Sequence, residues 1–572
     1  MLKLSNEILI KIFGYLTVPE KRTCASVCEK WRCLILGGIF YQDLQVYGEE
    51  NLLLLNKHFE ENVPHRNLVQ SLRASQLYAR APLVNTILAL PKQFPRLREF
   101  VYEHHDSDTY ESDESKIVID EDIAKHWQGI TKFYHYDKYL VSSKLLKYGG
   151  FRNLVELGVS FGGKERSAFK CDALIQHLSN APKLKMLKLG RGAMSLSHLH
   201  QLHCNAKQLE VLRFSDMELE PIVGDRQQPL ISHSDTLKEL QFLECTEEYN
   251  KSMLEHMEYP NLKILEARLR DILQGDYCED QLVKFVSHCP HIKTYNVNIH
   301  QITPAIMNAM DASGIKLKKI TITQLPYTHP LEQLKILHAS DQKNSISTMT
   351  LDYSDYCGKE PLNVSTMFTL MSKFTKLKHF ESFGRRLPDF PLGEFLYKFQ
   401  DMETLKLKDW GIRVGPNPLH GSIFKRKKEL KTKLKSLTLV NVTCCEESMS
   451  FISETCPELS KLTILEQFSR DFRDIEFPNH NFESITLKKM ESINNYDCNL
   501  LPVAMGRSND DPYNHTGFHY QVTDDKGTKW YKIVGGIQEK TFFEECPKSE
   551  NIRMISVKYK SCATLKLGDA YI

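Results

Sequence analysis

From residue 154 to residue 487 the apolar positions of this chain return in one arrangement, L-x-x-L-x-L. The clearest copies are LKMLKL at 184–189, LEVLRF at 209–214, LKELQF at 237–242 and LKILEA at 262–267. IKTYNV at 292–297, LKKITI at 317–322, ISTMTL at 346–351 and LKHFES at 377–382 follow, then METLKL at 402–407, LKSLTL at 434–439, LSKLTI at 459–464 and FESITL at 482–487. Weaker copies begin at Leu68, Leu97, Ile130 and Leu154. Successive starts from Leu154 lie 23 to 32 residues apart, and a dozen copies at that spacing are a repeat rather than coincidence. The x-L-x-L portion alternates with the period of a strand. Between copies, segments such as SMLEHMEY and DQLVKFVSHC carry apolar residues at helical spacing. Each unit therefore reads as one strand and one helix, stacked on its neighbours into a parallel sheet.

Several copies follow an x-Pro pair: Phe94-Pro95, Ala181-Pro182, Tyr259-Pro260, Cys289-Pro290 and Cys456-Pro457. Proline ends the preceding helix and turns the residue before it towards an extended conformation. The period and the form C-P-x-L-x-x-L-x-L resemble the cysteine-containing subclass of leucine-rich repeats, whose cysteines are expected to be small buried apolar side chains. In such a solenoid the residues flanking the strand leucines point out of the concave face. At the central flanking position five consecutive copies carry Lys188, Arg213, Gln241, Glu266 and Asn296, the candidates for substrate binding. Lys188 and Arg213 fall on adjacent strands and are expected to suit a phosphate or a carboxylate, against the plainer reading of a solvated strand face.

The N-terminal pattern differs. In LSNEILIKIFGYL, residues 4–16, the residues Leu4, Ile8, Leu9, Ile12, Phe13 and Leu16 share one broad helical stripe. Ser5 can cap the helix and Glu7 places negative charge in its first turn. A helix this short is marginal alone, so its stripe must be covered, either by the repeats as a terminal cap or by another protein. The stretch 4–44 resembles the F-box motif, L-P-x-E-I-L-x-x-I-F-x-Y-L, then V-C-x-x-W-R-x-L, then a closing aromatic and leucine. Leu4, Glu7, Ile8, Leu9, Ile12, Phe13, Tyr15 and Leu16 match the first part; Val27, Cys28, Trp31, Arg32 and Leu34 match the second; Phe40, Tyr41 and Leu44 close it. Ser5 stands where the family has proline, and Glu20-Lys21 replace its Asp-Leu.

The resemblance implies an α/β fold: an N-terminal three-helix F-box followed by a leucine-rich-repeat solenoid, with a curved parallel sheet inside and helices outside. The repeat style is similar to large fungal sets of such proteins. It implies docking on the Skp adaptor, and through it on a cullin and a RING protein, by Leu4, Ile8, Leu9, Ile12, Phe13, Leu16, Val27, Cys28, Trp31 and Leu34. A protein substrate of unknown identity would sit on the concave repeat face. The chain would be a non-catalytic substrate-recognition subunit of a ubiquitin ligase, raising the local concentration of substrate beside the charged conjugating enzyme. The alternative is an interaction scaffold that binds the adaptor or other partners without ubiquitin transfer. The expected divisions are 1–47 F-box, 48–95 linker and entry helices or a first degenerate repeat, 96–499 solenoid and 500–572 an irregular cap.

Composition changes this picture little. The 572 residues exceed one ordinary core, and a net charge of +2 gives no argument for a nucleic-acid partner. No run of 18 or more apolar residues suggests a membrane span. Fifteen cysteines without a C-x-x-C pair suggest free thiols, hence the cytoplasm or nucleus. No phosphate loop, G-x-S-x-G or H-E-x-x-H motif points to an enzyme or a cofactor. HLHQLHC at 198–204 places only His200 and Cys204 on one helical face, so no metal site is expected. The acidic stretch 103–122 reads as a solvated loop, FKRKKELKTKLK at 424–435 as an exposed charged helical face, and 518–533 as a hairpin around Asp524-Asp525-Lys526-Gly527.

Overall fold

The computed structural model describes residues 5–14, 16, 21, 24–77, 81–104, 117–137, 140–161, 168–219, 231–269, 279–297, 302–323, 330–353, 363–384, 389–414, 430–443, 446–466, 474–489, 518–524, 527–533, 541–543, 554–562, 565–567 and 570–571. The chain divides into two units, Met1–Ile292 and Lys293–Ile572.

In the first unit nine strands form a parallel sheet in chain order. They are Asp43–Tyr47, Ser71–Leu77, Glu99–His104, Lys132–Asp137, Glu156–Phe161, Met186–Gly190, Val211–Ser215, Glu239–Cys245 and Ile264–Leu269. Helices such as Leu196–Asn205 and Glu247–Glu255 connect them. The alternating leucines do what their period requires: Leu187, Leu189, Leu212, Phe214, Leu240, Phe242 and Leu265 are buried under the helices, while Lys188, Arg213, Gln241 and Glu266 face the opposite, open side. The sheet begins at Asp43, and its second strand, Ser71–Leu77, carries the weak copy that starts at Leu68, with Leu72 and Ala74 buried.

The second unit repeats the arrangement from Thr294–Val297 through Lys319–Thr323, Thr348–Asp352, His379–Phe383, Thr404–Lys408, Ser436–Val440, Lys461–Glu466 and Ser484–Lys489 to Leu565–Leu567. Phe518–Asp524 and Gly527–Ile533 pair antiparallel as the expected hairpin requires, with Asp524 opposite Gly527. The region expected to be irregular contributes more than that hairpin. Met554–Cys562 pairs in parallel with both Phe518–Asp524 and Asp474–Phe482, and Thr541–Phe543 extends the hairpin.

The chain leaves many strands through a left-handed residue. Arg191, Asp216, Asp409 and Asn441 have φ of 55°, 52°, 58° and 50°, and each donates its N–H to a carbonyl at the end of the next strand. That bond satisfies a group the ladder would otherwise leave open, offsetting a conformation that L side chains resist. The x-Pro cysteines are core residues, as their spacing predicts: Cys289 and Cys456 are fully buried. Residues 105–116 of the acidic stretch and 424–429 of the basic one lie outside the described residues. Residues 430–435 precede a strand instead of lying on a helix, with Lys433 on Asp401 at 2.7 Å and Lys435 on Glu403 at 3.4 Å.

The histidines of HLHQLHC have separate tasks. His198 and Ser195 form a reciprocal cap at the start of helix Leu196–Asn205, and His200 Nε2 lies 3.6 Å from Cys204 Sγ. His203 is buried, with Nε2 2.6 Å from the Tyr259 hydroxyl. Burial, with smaller repulsion from His200 and His233, lowers its pKa from 6.5 to about 4. The unfolded chain therefore binds this proton before the folded one does, and the neutral form's stabilisation is complete above pH 6.5 and is lost as pH falls towards 4. Acidification to pH 5 is expected to remove about 2 kcal/mol from the first unit. Urea midpoints at pH 7.5 and pH 5 should diverge for wild type and converge for His203→Phe.

Candidate functional site

The first helix, Asn6–Gly14, opens on Ser5, whose Oγ accepts from Ile8 N–H at 3.5 Å. Residues 21, 24 and 25 are helical, and Glu29–Leu34 continues into a wider turn at Ile35–Ile39, closed by Phe40 N–H donating to the Ile35 carbonyl. These elements share a small core of Leu9, Phe13, Ala25, Ile35 and Ile39, packed against Leu16, Cys24, Trp31, Leu34 and Phe40. The Trp31 ring meets Phe13 edge-on at 5.1 Å. Next to Phe40, Tyr41 stacks on His65 at 4.7 Å and meets Phe59 of helix Glu49–Glu61 at 5.6 Å.

The expected docking residues thus divide. Leu9 and Phe13 are turned inward, 5% and 2% exposed, and hold the helices together. Leu16, Trp31 and Leu34 brace that core from its edge. Ile8, Ile12 and Val27 remain 47%, 43% and 62% exposed, Cys28 is also exposed, and Leu4 lies outside the described residues. Two more apolar side chains face solvent, Ile10 and Leu36. Neither was among the expected residues. The signal for Ile10 was its place off the apolar stripe, where a short water-facing helix would carry a polar residue. Among the described residues of this segment five large aliphatic side chains are thus exposed. The nearby Cys33 thiol donates to Glu29 at 3.5 Å, a bond that raises its pKa.

On the open sheet face the sequence-predicted register is met. Lys188 lies opposite Arg213, Arg213 opposite Gln241 and Gln241 opposite Glu266, while Asn296 belongs to the second unit, opposite Thr321. Arg213 is already held: Glu239 Oε1 accepts from its Nε at 2.9 Å and its Nη2 at 2.5 Å. Gln241 donates to Glu266 at 2.8 Å, and Arg268 pairs with Glu266 at 3.0 Å. The Tyr134 ring lies flat over Gly158, where any Cβ would overlap it, and its hydroxyl donates to Glu156 at 2.8 Å. Burial, then Glu156, raises the Tyr134 pKa, so the phenol stays protonated. Lys188 Nζ stands over the same ring at 4.7 Å. Gly158→Ala is expected to displace Tyr134 and cost about 1–3 kcal/mol, read from a urea midpoint.

Residues 4–45 match the F-box-like family. The F-box-like segment is thus the helical domain whose core and exposed aliphatic residues are described above, and the matched residues end just inside the first strand, Asp43–Tyr47. No curated protein matches the chain. Among solved structures, the yeast Rad7–Elc1 complex aligns over 67% of this chain and 88% of that one, at 13% identity and a TM-score of 0.34. The complex of TLR13 with ssRNA13 aligns over 76% and 74%, at 11% identity and 0.32. Among the described residues no helix is long and apolar enough to cross a membrane.

Proposed function

We propose that this chain is a non-catalytic substrate receptor of a ubiquitin ligase. Its F-box-like segment docks on a Skp-type adaptor, which carries a cullin and a RING protein, and the open sheet face of the repeats holds a protein substrate. The observation that carries the reading is the coincidence of the F-box-like match with exposed Ile8, Ile10, Ile12, Val27 and Leu36 over an already closed core. Ile8, Ile12, Val27 and Cys28 are the contact residues in this reading, and Leu9, Phe13, Leu16, Trp31 and Leu34 position them. Leu4, at the edge of the match, belongs to the same proposed surface. Catalysis lies in the partners: the receptor acts by effective concentration.

The test is co-purification of the full chain with a Skp-type adaptor and, through it, a cullin. Capture of both supports the ligase reading. Capture of the adaptor without a cullin assigns the chain to the scaffold alternative, and capture of neither removes the reading.

A further inference from the structure

Among the described residues of the first unit's open face, Lys188 is a half-buried cation without an ion pair. Around it stand the cations Lys132 and Arg213 and the carboxylates Glu156 and Glu239, with Glu99 opposite Lys132 in register. Glu156 is taken by Lys132 at 3.3 Å and by the Tyr134 hydroxyl, and Glu239 is taken by Arg213. Among the described residues Lys188 has the Tyr134 ring and no carboxylate within ion-pair distance, and Glu156 and Glu239 attract it from further off. It is half-buried, opposite Arg213 in register, and burial followed by repulsion from Arg213 lowers its pKa. A half-buried ammonium beside a like charge is relieved by an incoming anion. Partly exposed Met186 and Val211 lie in the row beside it, opposite one another, and the Tyr134 hydroxyl reaches Met186 Sδ at 3.5 Å. The spot therefore offers one positive charge, an aromatic ring and apolar side chains together.

We infer that Lys188, framed by Tyr134, Met186 and Val211, is the docking point for an acidic side chain of an unmodified partner peptide, an aspartate or glutamate flanked by an aliphatic or aromatic residue. The inference rests on the reading of this sheet face as the substrate surface. Charge complementarity selects the carboxylate. A lone ammonium suits a monoanion, and the Arg213 Nε and Nη2, which could have joined it in holding a dianionic phosphate ester, are taken by Glu239. The apolar flanks supply the burial that a lone surface ion pair lacks.

The probe is an immobilised random dodecapeptide library, with a companion library in which phosphoserine replaces Asp and Glu, panned against the purified full chain. Wild type should enrich Asp or Glu next to an apolar residue, and should not enrich phosphoserine. Lys188→Met should lower affinity for enriched peptides at least tenfold, and Lys188→Glu should shift selection towards Lys or Arg at the same position. Circular dichroism serves as the folding control. Enrichment indifferent to Lys188, or a preference for phosphoserine, overturns the inference. If the selected peptides are then lost with Thr438→Arg, on the open face of the second unit, the broader reading survives. Peptides lost with neither substitution, or no enrichment at all, remove both.

Discussion

Ile8→Asp combined with Ile12→Asp is expected to abolish capture of a Skp-type adaptor while leaving the circular dichroism spectrum and the urea midpoint unchanged. Both side chains are nearly half exposed, one helical turn apart on Asn6–Gly14, so a carboxylate at either position stays in water in the free chain. In a complex the same carboxylates would be desolvated against an apolar partner, and the burial of two isoleucines would be lost. Together these effects amount to about 3–6 kcal/mol, a weakening on the order of 10²–10⁴-fold in Kd. Phe13→Ala is the contrasting variant. Phe13 is 2% exposed and packed on Trp31, so its loss should lower both binding and stability, by about 3–5 kcal/mol in the latter. If the double aspartate variant retains adaptor binding, the exposed isoleucines are not the interface. The N-terminal helices are then a cap on the sheet.

Trp410→Ala should destabilise the second unit by about 3–5 kcal/mol. Trp410 is 1% exposed, and its ring meets Phe390 edge-on at 5.4 Å, itself part of a cluster with Phe368 and Phe395. Its Nε1–H donates to the Ser382 hydroxyl at 3.2 Å; Ser382 is fully buried, so removing the indole strands a polar group as well as opening a cavity. The ring occupies the space where a Cβ on Gly384 would stand. Gly384→Ala alone should therefore cost about 1–3 kcal/mol by displacing the indole. The two substitutions together should cost less than their sum, since alanine at 384 fills part of the space left by Trp410. Urea denaturation of the four proteins provides the cycle. Strict additivity would mean that the glycine is not there for the tryptophan.

The repeat was legible because its two signals are local. Alternation of period 2 places Leu187 and Leu189 inside and Lys188 outside whatever lies beyond the strand, and a constant repeat length puts Lys188, Arg213, Gln241 and Glu266 in register. The F-box-like segment was legible from Trp31 and Phe13 at their characteristic distance, and the two rings do touch. Other features depend on neighbours far along the chain. Asp474–Phe482 carries no repeat pattern, and its partner Met554–Cys562 lies about eighty residues away.

By itself, then, the sequence determined which side chains are buried in the repeats, where the strands align and that an F-box-like helical segment precedes them. Only the tertiary structure decided what those aligned side chains do. A helical stripe shows that Ile8, Leu9, Ile12 and Phe13 share one side, but not that Leu9 and Phe13 close the core while Ile8 and Ile12 stay in water. That depends on where the helix holding Trp31 crosses it. Charge in register likewise left Lys188 and Arg213 equivalent. The diagonal reach of Glu239 to Arg213, and the Tyr134 ring lying over Gly158, satisfied one cation and left the other open. Pairing of long side chains is set by three-dimensional reach, which no one-dimensional period encodes.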